Sequence, residues 1–233
     1  MPHLPGQPPV EITLRRSARA RRFSLRVSRL DGKVTLSLPR GAREAEAMAF
    51  AREQEAWIRK ALARMPIGAG VTHGTVMPVE GRLLLLSPGS GRLVRIEGDS
   101  LLVPGDPARA GVRAAAFLKH LARDRLIEAS DRYAGLVGRP YSRITLRDTR
   151  SRWGSCTADG GLMYSWRLVM APREVLDYVA AHEVAHLAEM NHSQAFWSVV
   201  RRLVPGYAVH RAWLRAHGQT LHGYRFGSAD AGE

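Results

Sequence analysis

The sequence predicts an α+β protein: a β-rich N-terminal unit with one helix over residues 1–100, then a helix-dominated unit with short strands over residues 101–233. Three observations carry this. Short runs of alternating apolar and polar residues fill most of the first hundred positions. From Asp106 the pattern changes to that of long helices. Within that second half, "YVAAHEVAHLAEMNHSQAFW" (Tyr178–Trp197) gathers His182, Glu183, His186 and His192, in a chain with nine histidines in all.

After a Pro-rich leader, Phe23, Leu25 and Val27 alternate with polar residues, as do Val34, Leu36 and Leu38. The "LDGK" between them carries the Asp-Gly hairpin signal. Over Ala42–Met65 the apolar residues Ala45, Met48, Ala49, Ala56, Trp57 and Leu62 recur at helical spacing, and Pro66 with two glycines ends the run. "GRLLLLSPGSGRLVRIEGDSLLVP" returns to short strands broken by glycine turns.

A long helix then starts with Asp106 as its cap and Pro107 at its first position, and Gly138 closes it. "SRITLRDTRSRWGSC" reads as a strand running into a turn and "GLMYSWRLVMAP" as a second strand, with "DGG" reversing the chain. Pro172 opens the histidine-bearing helix, expected to run through Met190. Ser193 caps the next, which stops at Pro205–Gly206, and a last short helix lies around Tyr207–His217.

Composition narrows the function classes. Hydrophobic residues make up 45% and charged residues 24%, ordinary for a soluble globular protein. One cysteine, Cys156, excludes an intramolecular disulfide framework and fits a reducing compartment. The opening residues lack a charged segment followed by an apolar one, and the longest purely apolar run is Leu83–Leu86. The expectation is a cytoplasmic protein without a membrane span.

The net charge of +14 is unusual, and nearly all of it is arginine. Two readings stay open. One is an arginine-rich surface that binds nucleic acid, with "RRSARARRFSLR" (Arg15–Arg26) as its best candidate. The other is a general preference for arginine over lysine, with that stretch a solvated edge strand kept from aggregating by its charge.

The histidines point to chemistry. Residues four apart share a helix face, so His182 and His186 look the same way, along a stripe that includes Val175 and Tyr178 or Val179. Two imidazoles one turn apart can hold one tetrahedral zinc ion, while Glu183 leans over a water bound to it. A shuffled chain of this composition shows H-E-x-x-H about once in fifty tries, so the motif alone is suggestive. His192, six residues past His186, supplies a third ligand at the metzincin spacing. The metzincin glycine is absent, Glu189 standing in its place, and no methionine follows Met190 for a Met-turn. This is a zinc-hydrolase helix of another kind, with Asn191 as the residue able to end it in a left-handed conformation. The alternative is His192 as a capping or surface residue, with Glu189, Asp230 or Glu233 completing the set; of these Glu189 must fold back and the other two lie in the tail.

"RWGSCT" (Arg152–Thr157), "WRLVMAP" (Trp166–Pro172), "LDYVAAHEVAHL" (Leu176–Leu187) and "NHSQAFW" (Asn191–Trp197) occur together and in order. With the arginine-rich strands and the Trp57–Ile58 helix before them, they resemble the YgjP-like metal-dependent hydrolases, bacterial proteins related to SprT-like zinc proteases. The resemblance covers most of the chain. It implies a zincin-like C-terminal domain, its H-E-x-x-H helix packed beside a small sheet, with His182, His186 and His192 as ligands of Zn2+ and Glu183 as catalytic acid/base. One position departs: the residue before "WRL" is usually asparagine in the family and is Ser165 here.

The implied reaction is hydrolysis of a peptide or protein amide bond by a zinc-activated water, with Glu183 taking its proton. The developing oxyanion needs a second donor beside the metal; Arg152, Tyr164, Tyr178, Tyr207 and His210 are candidates. Cys156 reads either as a small packing residue or as a fourth ligand, and Trp153, Trp166, Phe196 and Trp197 as core anchors. A second class of reading makes the zinc structural and gives the function to the arginines. The two combine in a protease acting on DNA-bound proteins.

Overall fold

The computed structural model describes residues 2–6, 9–18, 20–27, 33–63 and 70–227. It divides into two compact units, Met1–Ala69 and Gly70–Glu233.

The first unit is a four-stranded sheet with two helices. Strands β1 (His3–Leu4), β2 (Val10–Ser17), β3 (Ser24–Val27) and β4 (Val34–Pro39) lie in the order β1-β2-β4-β3, with β2 and β4 parallel. Alternation sends Val10, Ile12, Val34, Leu36 and Leu38 to one buried face, because successive side chains of a strand point to opposite sides. The expected single helix is two, α1 (Glu44–Glu53) and α2 (Glu55–Ala63), interrupted at Gln54. They bury Ala47, Ala51 and Ile58 against the sheet residues, while Trp57 is 49% exposed. The stripe that meets the sheet is thus Ala47, Ala51 and Ile58 in place of one that includes Trp57. The Asp31–Gly32 turn and the stop at Pro66 lie outside the described residues.

The division falls at residue 70, and the strands expected to belong with the first unit lie in the second. β5 (Val76–Val79), β6 (Arg82–Gly89), β7 (Arg95–Glu97) and β8 (Ser100–Pro104) form a sheet of order β5-β6-β8-β7. Its apolar face (Met77, Leu84, Leu86, Leu101, Val103) shares one core with Ala114, Leu118, Ala122 and Leu126 of the long helix α3 (Ala110–Val137). A one-sided sheet needs a cover, and this helix follows it directly.

At the C-terminal end of α3 the local signal acts as expected, whereas at the other end it opens a short turn that precedes the helix. The Asp106 carboxylate accepts from the Ala108 amide to cap a 3-10 turn that opens with Pro107, and Gly138 closes the helix in a left-handed conformation. A Cβ on Gly111 would meet the Val71 carbonyl oxygen at 2.4 Å, so the helix sits as close as glycine permits.

A second sheet of this unit, order β10-β11-β9, supports the histidine helix. β9 (Arg143–Arg147) runs parallel to β11 (Gly161–Ser165), and β10 (Gly154–Cys156) pairs antiparallel on its other side. The chain reverses between β10 and β11 with Gly160 at φ 78°. "WRLVM" is not a continuation of the strand but a 3-10 turn, Trp166–Met170, with all five residues buried. A strand would send alternate side chains to opposite faces; the turn puts all five into the core.

The histidine helix is α4 (Arg173–Ala185), with Pro172 at its cap position. Arg173 anchors its first turn by pairing with Glu128 of α3 at 2.8 Å and Asp177 at 3.4 Å. α5 (Gln194–Leu203) and α6 (Tyr207–His217) follow and pack against it. The fold is mixed α and β with small sheets. No helix among the described residues is long and apolar enough to cross a membrane.

Candidate active site

α4 ends at Ala185, sooner than its composition suggests. Beyond it the chain tightens into i to i+3 hydrogen bonds: the His186 amide donates to Glu183 O, Leu187 to Val184 O and Ala188 to Ala185 O. Among the described residues only Glu80 is a non-glycine with positive φ, so Asn191 does not make the left-handed turn expected of it. Its side-chain oxygen instead accepts from the Ser193 amide at 3.2 Å. Ser193 Oγ in turn accepts from the Phe196 amide, capping α5. Side-chain capping thus does the work the sequence suggested for backbone strain.

This corner swings His192 back over α4. The ring nitrogens of His182, His186 and His192 all lie within 4.8 Å of one another, and the two Nε2 atoms of His182 and His192 are 3.1 Å apart. The ring of Phe196 stacks on His186 with centroids 4.4 Å apart, and Trp197 stacks on His192 at 5.8 Å. His186 Nδ1 donates to the Glu189 carbonyl at 3.0 Å. A carbonyl can only accept, so the free lone pair of His186 is on Nε2.

Burial decides the protonation of these groups. It pushes His182 down to about 3, with the neighbouring His186, His192 and Arg211 adding to the effect, and it lowers His186 as well. Both imidazoles are therefore neutral near pH 7, the form that can ligate a metal. Glu183 is 6% exposed, and burial pushes it up to about 8 against the opposing charge of Arg152. A divalent cation beside it would draw that value down. Strand β10 closes over the carboxylate so tightly that a Cβ on Gly154 would lie 2.6 Å from Glu183 Cγ and Oε1.

The family model for the YgjP-like metallopeptidase domain matches residues 21–217, more than four-fifths of the chain. The chain belongs to the YgjP-like metallopeptidase family. Its substrates are accordingly peptides or proteins. No curated protein matches it. Among solved structures, the metallopeptidase zymogen of Pyrococcus abyssi abylysin is similar at 18% identity, over 40% of this chain and 93% of that one, with a TM-score of 0.36.

The structure treats the remaining candidates of this YgjP-like metallopeptidase unequally. Tyr164 is fully buried and its hydroxyl is engaged with Ser130 Oγ at 3.0 Å. Tyr178 is buried in a stack, 6.2 Å from the ring of Tyr207 and 6.0 Å from that of His182. His210 lies at the edge of the same stack, 6.4 Å from Tyr178. Arg152 is exposed, and its charge reaches Glu183.

Cys156 stands apart from the histidine cluster, and burial with the nearby Glu183 and Asp159 pushes its thiol up to about 11. It is a protonated packing residue. Of the expected core anchors, Trp166 and Phe196 are fully buried, while Trp153 and Trp197 are half-buried. Ser165 Oγ is buried and makes no hydrogen bond among the described residues.

Sequence reading missed Gly154 and Arg211. The glycine of "WGSC" looked like a turn residue, yet its φ is not positive. Its role is to leave room for Glu183.

Proposed function

We propose that this chain is a zinc-dependent peptidase of the zincin kind, in which His182, His186 and His192 hold the ion and Glu183 is the general base. The observation that carries the reading is the convergence of three imidazoles from a helix and the corner after it. Around a tetrahedral zinc with nitrogen ligands at about 2.0–2.1 Å, two ligand atoms stand roughly 3.3 Å apart. The 3.1 Å between the Nε2 atoms of His182 and His192 fits that edge. The neutral state of His182 and His186 and the outward hydrogen bond of His186 Nδ1 fit it too.

A catalytic role is favoured over a structural one by the donor set. Structural zinc sites are closed by four protein ligands, whereas catalytic ones keep a position open. Three groups form this cluster among the described residues, and His192 is exposed to solvent. When bound, zinc supplies a Lewis acid and a water of lowered pKa.

The protein supplies the rest. Glu183 accepts the water's proton and delivers it to the departing amide nitrogen, and its burial beneath β10 keeps that carboxylate from being solvated away. Arg152 is positioned to steady the charge on Glu183. Phe196 and Trp197 hold the imidazoles of His186 and His192 by packing.

Metal content of the purified protein by mass spectrometry tests this directly. One zinc per chain is expected, lost or weakened in His182→Ala and His192→Ala and retained in Glu183→Gln. The last variant should lose about 10²–10⁴-fold in peptide hydrolysis. A parent protein that takes up no metal when zinc is offered would end the proposal.

A further inference from the structure

From residue 190 to residue 229 the chain holds five arginines and no aspartate or glutamate. Some arginines elsewhere in the same unit are matched with carboxylates, as Arg125 is with Glu80, Arg132 with Asp177, Arg143 with Asp159 and Arg167 with Asp148. Arg211 and Arg215, on α6, have no such ion pair among the described residues. With Tyr207, Ala208, Ala212 and Ala216 they line an open cavity of about 490 Å³.

That cavity adjoins the histidine cluster. The Arg211 guanidinium lies over the Trp197 indole at 4.8 Å. The same indole is 5.7 Å from the ring of His182 and 5.8 Å from that of His192. Tyr207 stacks on it as well, at 5.4 Å. Arg211 is thus held in place by an aromatic face, and its guanidinium has no hydrogen bond or ion pair among the described residues. Arg215 follows one helical turn later, on the same side of α6. Alanines between and beside them keep the cavity floor low, so a ligand can reach both guanidiniums.

We propose that Arg211 and Arg215 form a subsite for an acidic side chain of the peptide substrate, so that the enzyme prefers sequences with aspartate or glutamate near the bond it cleaves. This rests on the peptidase reading above. An extended peptide advances about 3.3–3.6 Å per residue, so a carboxylate within about three residues of the scissile bond reaches this cavity. Two guanidiniums one turn apart suit a carboxylate, which accepts charge-assisted pairs of hydrogen bonds. With five arginines and no aspartate or glutamate, the segment from residue 190 to residue 229 contributes a field that favours an anion before any contact is made. A surface for nucleic acid would instead carry a row of cations tracking a phosphate backbone; this cavity is lined by two arginines, three alanines and a tyrosine.

The test uses peptides of one sequence carrying glutamate, glutamine or lysine at positions flanking the cleaved bond. Binding to zinc-loaded Glu183→Gln protein is read by fluorescence anisotropy, and cleavage by the parent is read in parallel. The glutamate peptide is expected to bind about ten-fold more tightly than the glutamine one, a typical reward for a charge-assisted contact at a half-exposed site. The ratio should fall towards one in Arg211→Gln/Arg215→Gln. It should persist in a control that removes two charges elsewhere, Arg123→Gln/Arg139→Gln, and return in part in Arg211→Lys. If the double variant melts early, Arg215→Gln alone carries the test, because that side chain is exposed.

Equal binding of the three peptides, or an acid preference that survives loss of both arginines, overturns the subsite. So does a result in which the two substitutions weaken DNA binding and leave the peptide ratio unchanged. An acid preference in binding with no cleavage of any peptide would support the subsite while counting against the peptidase reading, which keeps the two distinguishable.

Discussion

Gly154→Ala puts a methyl group where Glu183 already is. The new Cβ would stand 2.6 Å from both Cγ and Oε1 of Glu183 and 2.8 Å from its Cδ, whereas carbon atoms rest about 3.5–4.0 Å apart. Something must move by about 1 Å. The backbone of Glu183 belongs to a packed helix and the residue is 6% exposed, so the carboxylate rather than the helix gives way. Overpacking of this kind costs about 1–3 kcal/mol of stability. As the proposed general base, Glu183 displaced by about 1 Å would lose roughly 100-fold in rate. The three atoms nearest to that Cβ all belong to Glu183, so the imidazoles are undisturbed. The expected result is a protein with its full metal content, a urea-denaturation free energy lower by about 1–3 kcal/mol and kcat/KM lower by about 100-fold. Parental kcat/KM in a folded, metal-replete variant would refute the reasoning, because it would mean that the position of Glu183 does not matter to the reaction. Loss of metal would mean that β10 supports the imidazoles and not the carboxylate.

Other perturbations reach the support behind the site. Asp148→Ala leaves Arg167, whose side chain is 4% exposed, with the carbonyls of Leu221 and Tyr224 and without its two contacts to the carboxylate at 2.6 and 2.9 Å. Since Asp148 is itself 31% exposed, the loss should be about 3 kcal/mol, the low end for a broken buried pair; a denaturation curve shifted by under 1 kcal/mol would contradict this. His222 is 5% exposed, and burial beside Arg167 lowers it to about 4 although Asp148 opposes the shift. The unfolded chain therefore binds the extra proton first, and stability falls as pH drops from about 6.5 towards 4, by about 3 kcal/mol in all. His222→Gln should flatten the acid limb of the stability–pH curve over that window, and an unchanged slope would show that His222 titrates normally. Ser165→Ala removes a buried hydroxyl that has no partner, so thermal melting should show no loss and a gain of up to about 1 kcal/mol; a loss above that would reveal a partner.

Much of this protein was legible in its sequence because the signals are local. Asp106 and Pro107 open the 3-10 turn that leads into α3, and Gly138 closes that helix, through capping and backbone preference, which need only neighbouring residues. His182 and His186 share a face because a helix has a fixed pitch, and His192 could be nominated by its distance along the chain. What depends on partners far away in sequence was not legible. The division at residue 70 follows from α3 covering a sheet that the alternation pattern alone assigned elsewhere. "WRLVM" looks like a strand to any periodicity count, yet a turn buries all five residues and lets Arg167 meet Asp148 and two carbonyls. Gly154 shows its purpose only once Glu183 is seen against it, and Arg211 only once Trp197 and the histidines are seen beside it. Spacing along a chain determines which way a side chain points. What it meets there is decided by packing, which sums contacts from every element at once and leaves no period in the sequence.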